Sequence, residues 1–213
     1  MPRKTQFTAE DVVRAAFELV REKGLSGLSA PAVAAKMGCS TMPIYSHFRN
    51  MQALEDAVIQ KSWKLVMQYQ AEHYTGDVWV DQAIGWVRFS RDEANLFHSM
   101  LNNNNRKLQY KMQMQHWEYL AGLLEGYDGF KDLDDFLSQR VRSAHAKLTH
   151  GLAMAPRIGP EKIIVEEDEI LFRYLTSATQ ALLIGYKQLP PMDESYKQYV
   201  LDWIKNFKDD YQE

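Results

Sequence analysis

The stretch from Ser29 to Asn50 constrains the fold more than any other part of the chain. Ser29 is a good N-cap residue, and Pro31 follows in the first turn, where its missing N–H costs nothing. Gly38 suits the end of that helix, and the same start is repeated by Ser40 as N-cap and Pro43 in the next first turn. Asn50 then caps a further helix. Val33, Ala34 and Met37 are expected inside the first short helix, Ile44 and Phe48 inside the second. Two short helices separated only by Met37-Gly38-Cys39-Ser40 fit the tight turn of a helix-turn-helix.

The flanking residues extend the helical reading. Thr8-Ala9-Glu10-Asp11 has the form of a capping box, with two acids at the positive end of the helix dipole. Val13, Ala16, Phe17 and Val20 line one face, and Gly24 ends a first helix over 9–23; Leu25 and Leu28 anchor the link. The helix after Asn50, with a buried stripe of Leu54, Ala57, Val58 and Leu65, runs to about residue 73. Further helices fall near 78–92, 93–103, 106–126, 131–155, 166–188 and 193–211. Breaks come at Asn102–Asn105, Gly126–Gly129, Pro156–Pro160 and Pro190-Pro191. The fold class is therefore all-α: a three-helix amino-terminal head (1–50), a shared connector helix (51–73) and a larger helical body (74–213). No Ser/Pro/Gly-rich spacer separates head from body, so the connector is expected to act as a rigid lever.

Composition excludes several classes. Hydrophobic residues make up 46% and charged residues 25%, ordinary values for a folded domain. Apolar runs fall short of the ~20 residues that span a bilayer, so no membrane partner is expected. The sequence MPRKTQFTAED lacks the apolar core of a signal peptide, and a single cysteine fits a reducing cytoplasm. The net charge of −3 is unevenly spread: residues 1–50 carry seven Lys/Arg and four acids, the remainder 18 and 24. A basic head on an acidic body suits local contact with phosphates. There is no Gly-rich phosphate loop, HExxH, GxSxG or Cys/His cluster, and the six histidines are scattered. No cofactor, metal site or enzymatic activity is expected.

The run Gly24-Leu25 … Leu28-Ser29-Ala30-Pro31-Ala32-Val33-Ala34-Ala35-Lys36-Met37-Gly38-Cys39-Ser40 … Ile44-Tyr45-Ser46-His47-Phe48-Arg49-Asn50 … Leu54 resembles the signature of the TetR family of transcriptional regulators. The resemblance covers residues 8–56 and implies a recognition helix in the major groove of operator DNA. It implies phosphate contacts by Tyr45 and His47 and a backbone contact by Ser29. Thr41, Met42, Pro43 and Ser46 would face base edges, Met42 and Pro43 against thymine methyls. No Arg or Asn stands there for a bidentate purine contact, so DNA shape and dimer geometry are expected to add specificity. The chain departs from the family in carrying Met51 where many members place a phosphate-binding lysine. Arg3 and Lys4 offer a basic arm. Cys39 reads as a small filler.

The same resemblance implies a ligand-responsive repressor whose body binds a small, largely apolar or aromatic effector. Trp86, Phe89, Phe97, Met100, Tyr110, Met114, Trp117 and Tyr174 are the candidate lining residues, and such side chains equally build a core. His116, His145, Tyr174 and Gln180 are candidate polar groups for orienting a ligand. The helices near 131–155 and 166–188, the latter with small Ala178 and Gly185, are expected to supply half of a four-helix homodimer interface. The alternative, motivated by Met51 and the low charge, is a dimeric ligand- or partner-binding protein with weakened or lost DNA binding.

Overall fold

A computed structural model describes residues 7–155, 158–190 and 192–209. Among them the chain is all-α, with helices α1 (Ala9–Lys23), α2 (Ala30–Met37), α3 (Met42–His47), α4 (Met51–Ala71), α5 (Val78–Asp92), α6 (Ala94–Asn102), α7 (Arg106–Leu123), α8 (Asp135–Met154), α9 (Pro160–Glu166), α10 (Asp168–Lys187) and α11 (Glu194–Asp209). Short 3-10 turns lie at Leu25–Gly27 and Asp128–Phe130. The helix α9 was not expected; Pro160 in its first turn, after Gly159, is the start signal that the run of breakers hid. Part of that run, Pro156 and Arg157, and also Pro191, lie outside the described residues.

The chain forms two compact units that do not follow a boundary at residue 74. One contains the residues up to Tyr69 together with Arg88–His116; the other contains Gln70–Val87 and the residues from Trp117 onward. Helices α4, α5 and α7 therefore each contribute to both.

In the amino-terminal unit, α1 is started by a full capping box. The Asp11 amide donates to Thr8 Oγ1 at 3.2 Å and the Thr8 amide to Asp11 Oδ2 at 3.0 Å. Its buried face is Val12, Ala16, Phe17, Leu19 and Val20, against which α2, α3 and α6 pack. At its far end Arg21 grips Glu93, the single non-helical residue between α5 and α6, through Nε at 2.7 Å and through a second bond to the other carboxylate oxygen. Asn95 adds a 2.9 Å bond from Nδ2 to the Arg21 carbonyl. The asparagine run is a cap cluster. Asn103 donates to Glu55 at 2.8 Å, Asn105 donates to Asp56 at 2.7 Å, and the Leu108 amide donates to Asn105 at 3.1 Å to start α7. The early turns of α4 are thereby tied to the α6–α7 connection.

In the carboxy-terminal unit, Trp79, Leu124, Val141 and Leu183 form a core, with Tyr127, Phe130 and Leu133 packed against it. Polar groups thread through it. Trp79 Nε1 donates to the Thr179 carbonyl at 3.0 Å, and His145 donates from Nε2 to the Trp79 carbonyl at 3.0 Å while its ring lies 3.9 Å from the indole. Asp77 accepts from Tyr127 at 3.0 Å, from Gln180 at 2.6 Å and from the Trp79 amide at 2.9 Å. Burial, and then the Asp77 carboxylate, push the Tyr127 hydroxyl up to about 12.

Two predictions follow from these contacts. Glu93 is only 4% exposed, so Arg21→Met strands a buried carboxylate. The loss is about 2 kcal/mol, less than for a sealed pair because Arg21 keeps half its side chain in water; Glu93→Gln, which keeps a neutral acceptor, costs less, and urea unfolding measures both. The second concerns pH. Burial pulls His145 down to about 4, and His116, tilted against Trp63 in the other unit, down to about 4 as well. Below about pH 6.5 the unfolded chain takes up protons that the folded chain refuses until near pH 4. Stability therefore falls as pH drops through that window, and His145→Gln flattens the dependence of melting temperature on pH.

Candidate nucleic-acid interface

The candidate surface is built on α2 and α3. Ser29 stands in extended conformation at the N-cap of α2 and accepts the Ala32 amide at 3.3 Å, which leaves its hydroxyl proton free to donate outward. Ala30, Val33 and Ala34 bury the inner face of α2, with Met37 only half-buried. Gly38 ends the helix at φ 66° and ψ 35°, a left-handed conformation that turns the chain sharply into α3. The cap of α3 is Thr41, not Ser40. The Thr41 carbonyl receives the amides of Ile44 at 3.1 Å and Tyr45 at 3.4 Å, so the backbone opens this helix without a side-chain cap. Ile44 is the one buried residue of α3, and it pins the helix by its inner side.

The outer side carries the residues expected from sequence. Met42 is 74% exposed and Tyr45 54% exposed, Ser46 and His47 are exposed, and Thr41 and Pro43 are half-buried. Within this group the hydrogen-bonding capacity is already partly assigned. The Ser46 hydroxyl donates to the Pro43 carbonyl at 2.8 Å, so only its oxygen remains to accept from a base. The hydroxyls of Thr41 and Tyr45 have no partner among the described residues. His47 lies with Nε2 2.8 Å from the Phe7 carbonyl; a carbonyl only accepts, so this nitrogen carries the proton. A neutral His47 therefore presents an acceptor at Nδ1, and it meets a phosphate either as imidazolium or after giving up Phe7.

Beside α3, Asn50 accepts the Ala53 amide at 2.9 Å and starts α4, with half-buried Met51 in its first turn. Arg49, immediately before it, is exposed and forms no ion pair among the described residues, whereas Arg14 is paired with Asp11 and Lys36 with Glu22 at 2.8 Å. Sequence reasoning passed over Arg49; its signal was a basic residue directly after Tyr-x-His-Phe. Arg3 and Lys4 lie outside the described residues. Cys39, in the turn, is half-buried and free.

Residues 12–58 match the model of the bacterial regulatory proteins of the tetR family. Residues 12–58 thus form an amino-terminal domain of the TetR type. It is 38% identical over 56 residues to the class A tetracycline repressor protein from transposon 1721 of Escherichia coli, 26% of each chain. It is 33% identical over 94 residues to the class D tetracycline repressor protein of Escherichia coli, and equally to the class H protein of Photobacterium damsela subsp. piscicida. These matches span 43% of this chain and 38% of each of the two relatives.

The candidate effector residues belong to both units. Phe89, Phe97 and Met100 are buried in the amino-terminal unit, where the Phe89 ring meets Tyr69 at 5.6 Å and Phe97 at 6.4 Å. Tyr110 and Met114 are half-buried in that unit. Trp86 and Trp117 belong to the carboxy-terminal unit, Trp86 with the His150 ring at 5.9 Å and Trp117 beneath the Arg142 guanidinium at 4.3 Å. Tyr174 is 39% exposed on α10. Of the polar candidates, His145 and Gln180 are engaged with Trp79 and Asp77, and His116 is half-buried against Trp63.

Gly38 gives a clean test of how the turn is held. A Cβ there meets nothing within 4 Å, so Gly38→Ala is resisted only by its left-handed backbone. The expected loss is about 1–2 kcal/mol, visible as a lower melting temperature.

Proposed function

We propose that the chain is a homodimeric transcriptional repressor that holds operator DNA through α3 and is released by a small, largely apolar or aromatic effector. The observation that carries this reading is the outward presentation, on a TetR-family head, of Met42, Tyr45, Ser46 and His47 around an α3 pinned by buried Ile44. Tyr45, His47 and Ser29 hold phosphates, joined by the unpaired Arg49. Thr41, Met42, Pro43 and Ser46 read base edges, mostly through apolar contact. The repressor role draws support from the relatives, which are named as tetracycline repressor proteins. Their matched segments leave most of the body uncovered, so tetracycline itself is not carried over.

The dimer is proposed to form through α8 and α10. These helices pack on each other, and their outward sides leave Met154, Ile170, Tyr174 and Ile184 exposed, with Ile184 at 54%. A second copy covers this apolar surface and sets two recognition helices on a two-fold operator. The effector is taken up by the carboxy-terminal body, with Trp86 and Trp117 as its contacts. It acts only if it binds the DNA-free arrangement more tightly than the DNA-bound one. A genomic target places the protein in the cytoplasm; no helix among the described residues is long and apolar enough to cross a membrane.

Fluorescence anisotropy on DNA from the promoter region of the encoding gene, and on selected random DNA, tests the reading. Salt-sensitive, sequence-specific binding is expected, and Tyr45→Phe or Arg49→Ala weakens it about equally on all sequences. Met42→Ala shifts sequence preference instead. Met51→Lys strengthens binding and steepens the salt slope by about one. Binding that is absent on every sequence, with or without Met51→Lys, sinks the repressor and favours a dimer that has lost DNA binding.

A further inference from the structure

Two half-buried arginines of α8, Arg140 and Arg142, have no charge partner among the described residues. Arg142 lies with its guanidinium 4.3 Å over the Trp117 ring and donates from one terminal nitrogen to the Trp117 carbonyl at 3.1 Å. No carboxylate pairs with it among the described residues. Other inward-leaning arginines are matched: Arg88 and Arg91 both reach Asp92, at 3.8 and 2.7 Å, and Arg21 is held by Glu93. Burial pulls Arg142 below the ordinary arginine range, and no nearby charge offsets that pull. Arg140, also without a carboxylate, donates to the Tyr196 hydroxyl at 3.1 Å and lies over the rings of Phe136 and Tyr196.

Position on the helix says which way Arg142 faces. The buried residues of α8 are Val141, His145, Thr149 and Ala153, and at 3.6 residues per turn Arg142 falls between Thr149 and Ala153 in angular order. Lys147 and Met154 are exposed well round the helix from Arg142, on the side proposed for the second copy. The unmatched charge therefore belongs to the interior of the unit. Desolvating a guanidinium without a counter-charge is costly, and an arginine fork is suited to a carboxylate. His145, on the same face, is neutral at physiological pH, so the site offers one positive charge.

We propose that Arg142, backed by Trp117, is the anion anchor of the carboxy-terminal unit, and that the molecule it takes is a small monocarboxylate with an apolar or aromatic body. The carboxylate pairs with the edge of the guanidinium, and the body lies along apolar side chains. This deepens, and rests on, the reading of that unit as effector-binding. A second copy of the chain is the weaker alternative, because Arg142 faces away from the exposed side of α8.

The test uses the full chain without DNA, with benzoate, phenylacetate and octanoate as probes against their primary amides. At least one acid is expected to raise the melting temperature and change tryptophan fluorescence, while its amide of the same shape does neither. Arg142→Lys keeps the charge and the response, with affinity reduced at least about tenfold because the fork is lost. Arg142→Met abolishes the response to the acid. Equal responses to acid and amide, no response to any acid at about 10 mM, or unchanged affinity in Arg142→Lys overturns the proposal. The last comparison decides even if Arg142→Met fails to fold. Anisotropy on operator DNA then separates the two readings. Acid binding through Arg142 without DNA release leaves the anchor standing and removes the effector role; release by neutral compounds alone does the reverse.

Discussion

The carboxylate of Glu93 is nearly sealed from water, and a charge in that position needs a partner. It finds one 72 residues earlier in the chain, in the last turn of α1. That two-pronged bond, reinforced by Asn95 on the Arg21 carbonyl, fixes the end of the helix on which α2 and α3 are packed. The helix that supports α2 and α3 is thus anchored by an ion pair far from either. The asparagines after α6 act alike on α4, where Glu55 and Asp56 accept their side-chain amides. Between them, these contacts make Arg88–His116 part of the unit that presents α3.

The carboxy-terminal unit is organised differently, around an aromatic ring. Trp79 is fully buried, yet its indole N–H, its amide and its carbonyl are all satisfied, by Thr179, Asp77 and His145. This lets a large apolar side chain sit at the centre without orphaned polar groups around it. Arg142 contrasts with this arrangement: a charge on the inward face with an aromatic ring for company and no acid to meet it.

Most of the fold was legible because local signals were strong. Thr8 and Asp11, Ser29 and Pro31, Gly38, and Asn50 each act through contacts within four residues, which a sequence displays directly. The exposed face of α3 was readable for the same reason, since burying Ile44 fixes where its neighbours point. What stayed hidden depends on residues distant in sequence. Nothing near Glu93 announces Arg21, and the domain division at residue 74 could not foresee that bond. The candidate ligand contacts belong to two units because composition marks aromatic side chains without saying which unit they join. Arg142 was missed since an arginine in a helix ordinarily faces solvent, and its place over the Trp117 ring depends on a residue 25 positions away. The shift of the α3 cap from Ser40 to Thr41 is the smallest discrepancy, a backbone carbonyl doing what a hydroxyl was expected to do.

The interrupted make-up of the amino-terminal unit bears on how the protein is synthesised. A ribosome that has released the chain up to Tyr69 has delivered α1 to α3 and most of α4 but none of the residues between Arg88 and His116. The nascent head then has α1 with Arg21 unmatched and the inner faces of α1 and α4 still missing part of their cover. Closing it requires a loop of 72 residues between Arg21 and Glu93, a non-local step that follows local helix formation. During translation at ~5–20 residues per second, this leaves an interval of seconds in which the incomplete head exposes apolar surface. The segment at residues 12–58 that matches the family model is thus synthesised before the unit that completes it.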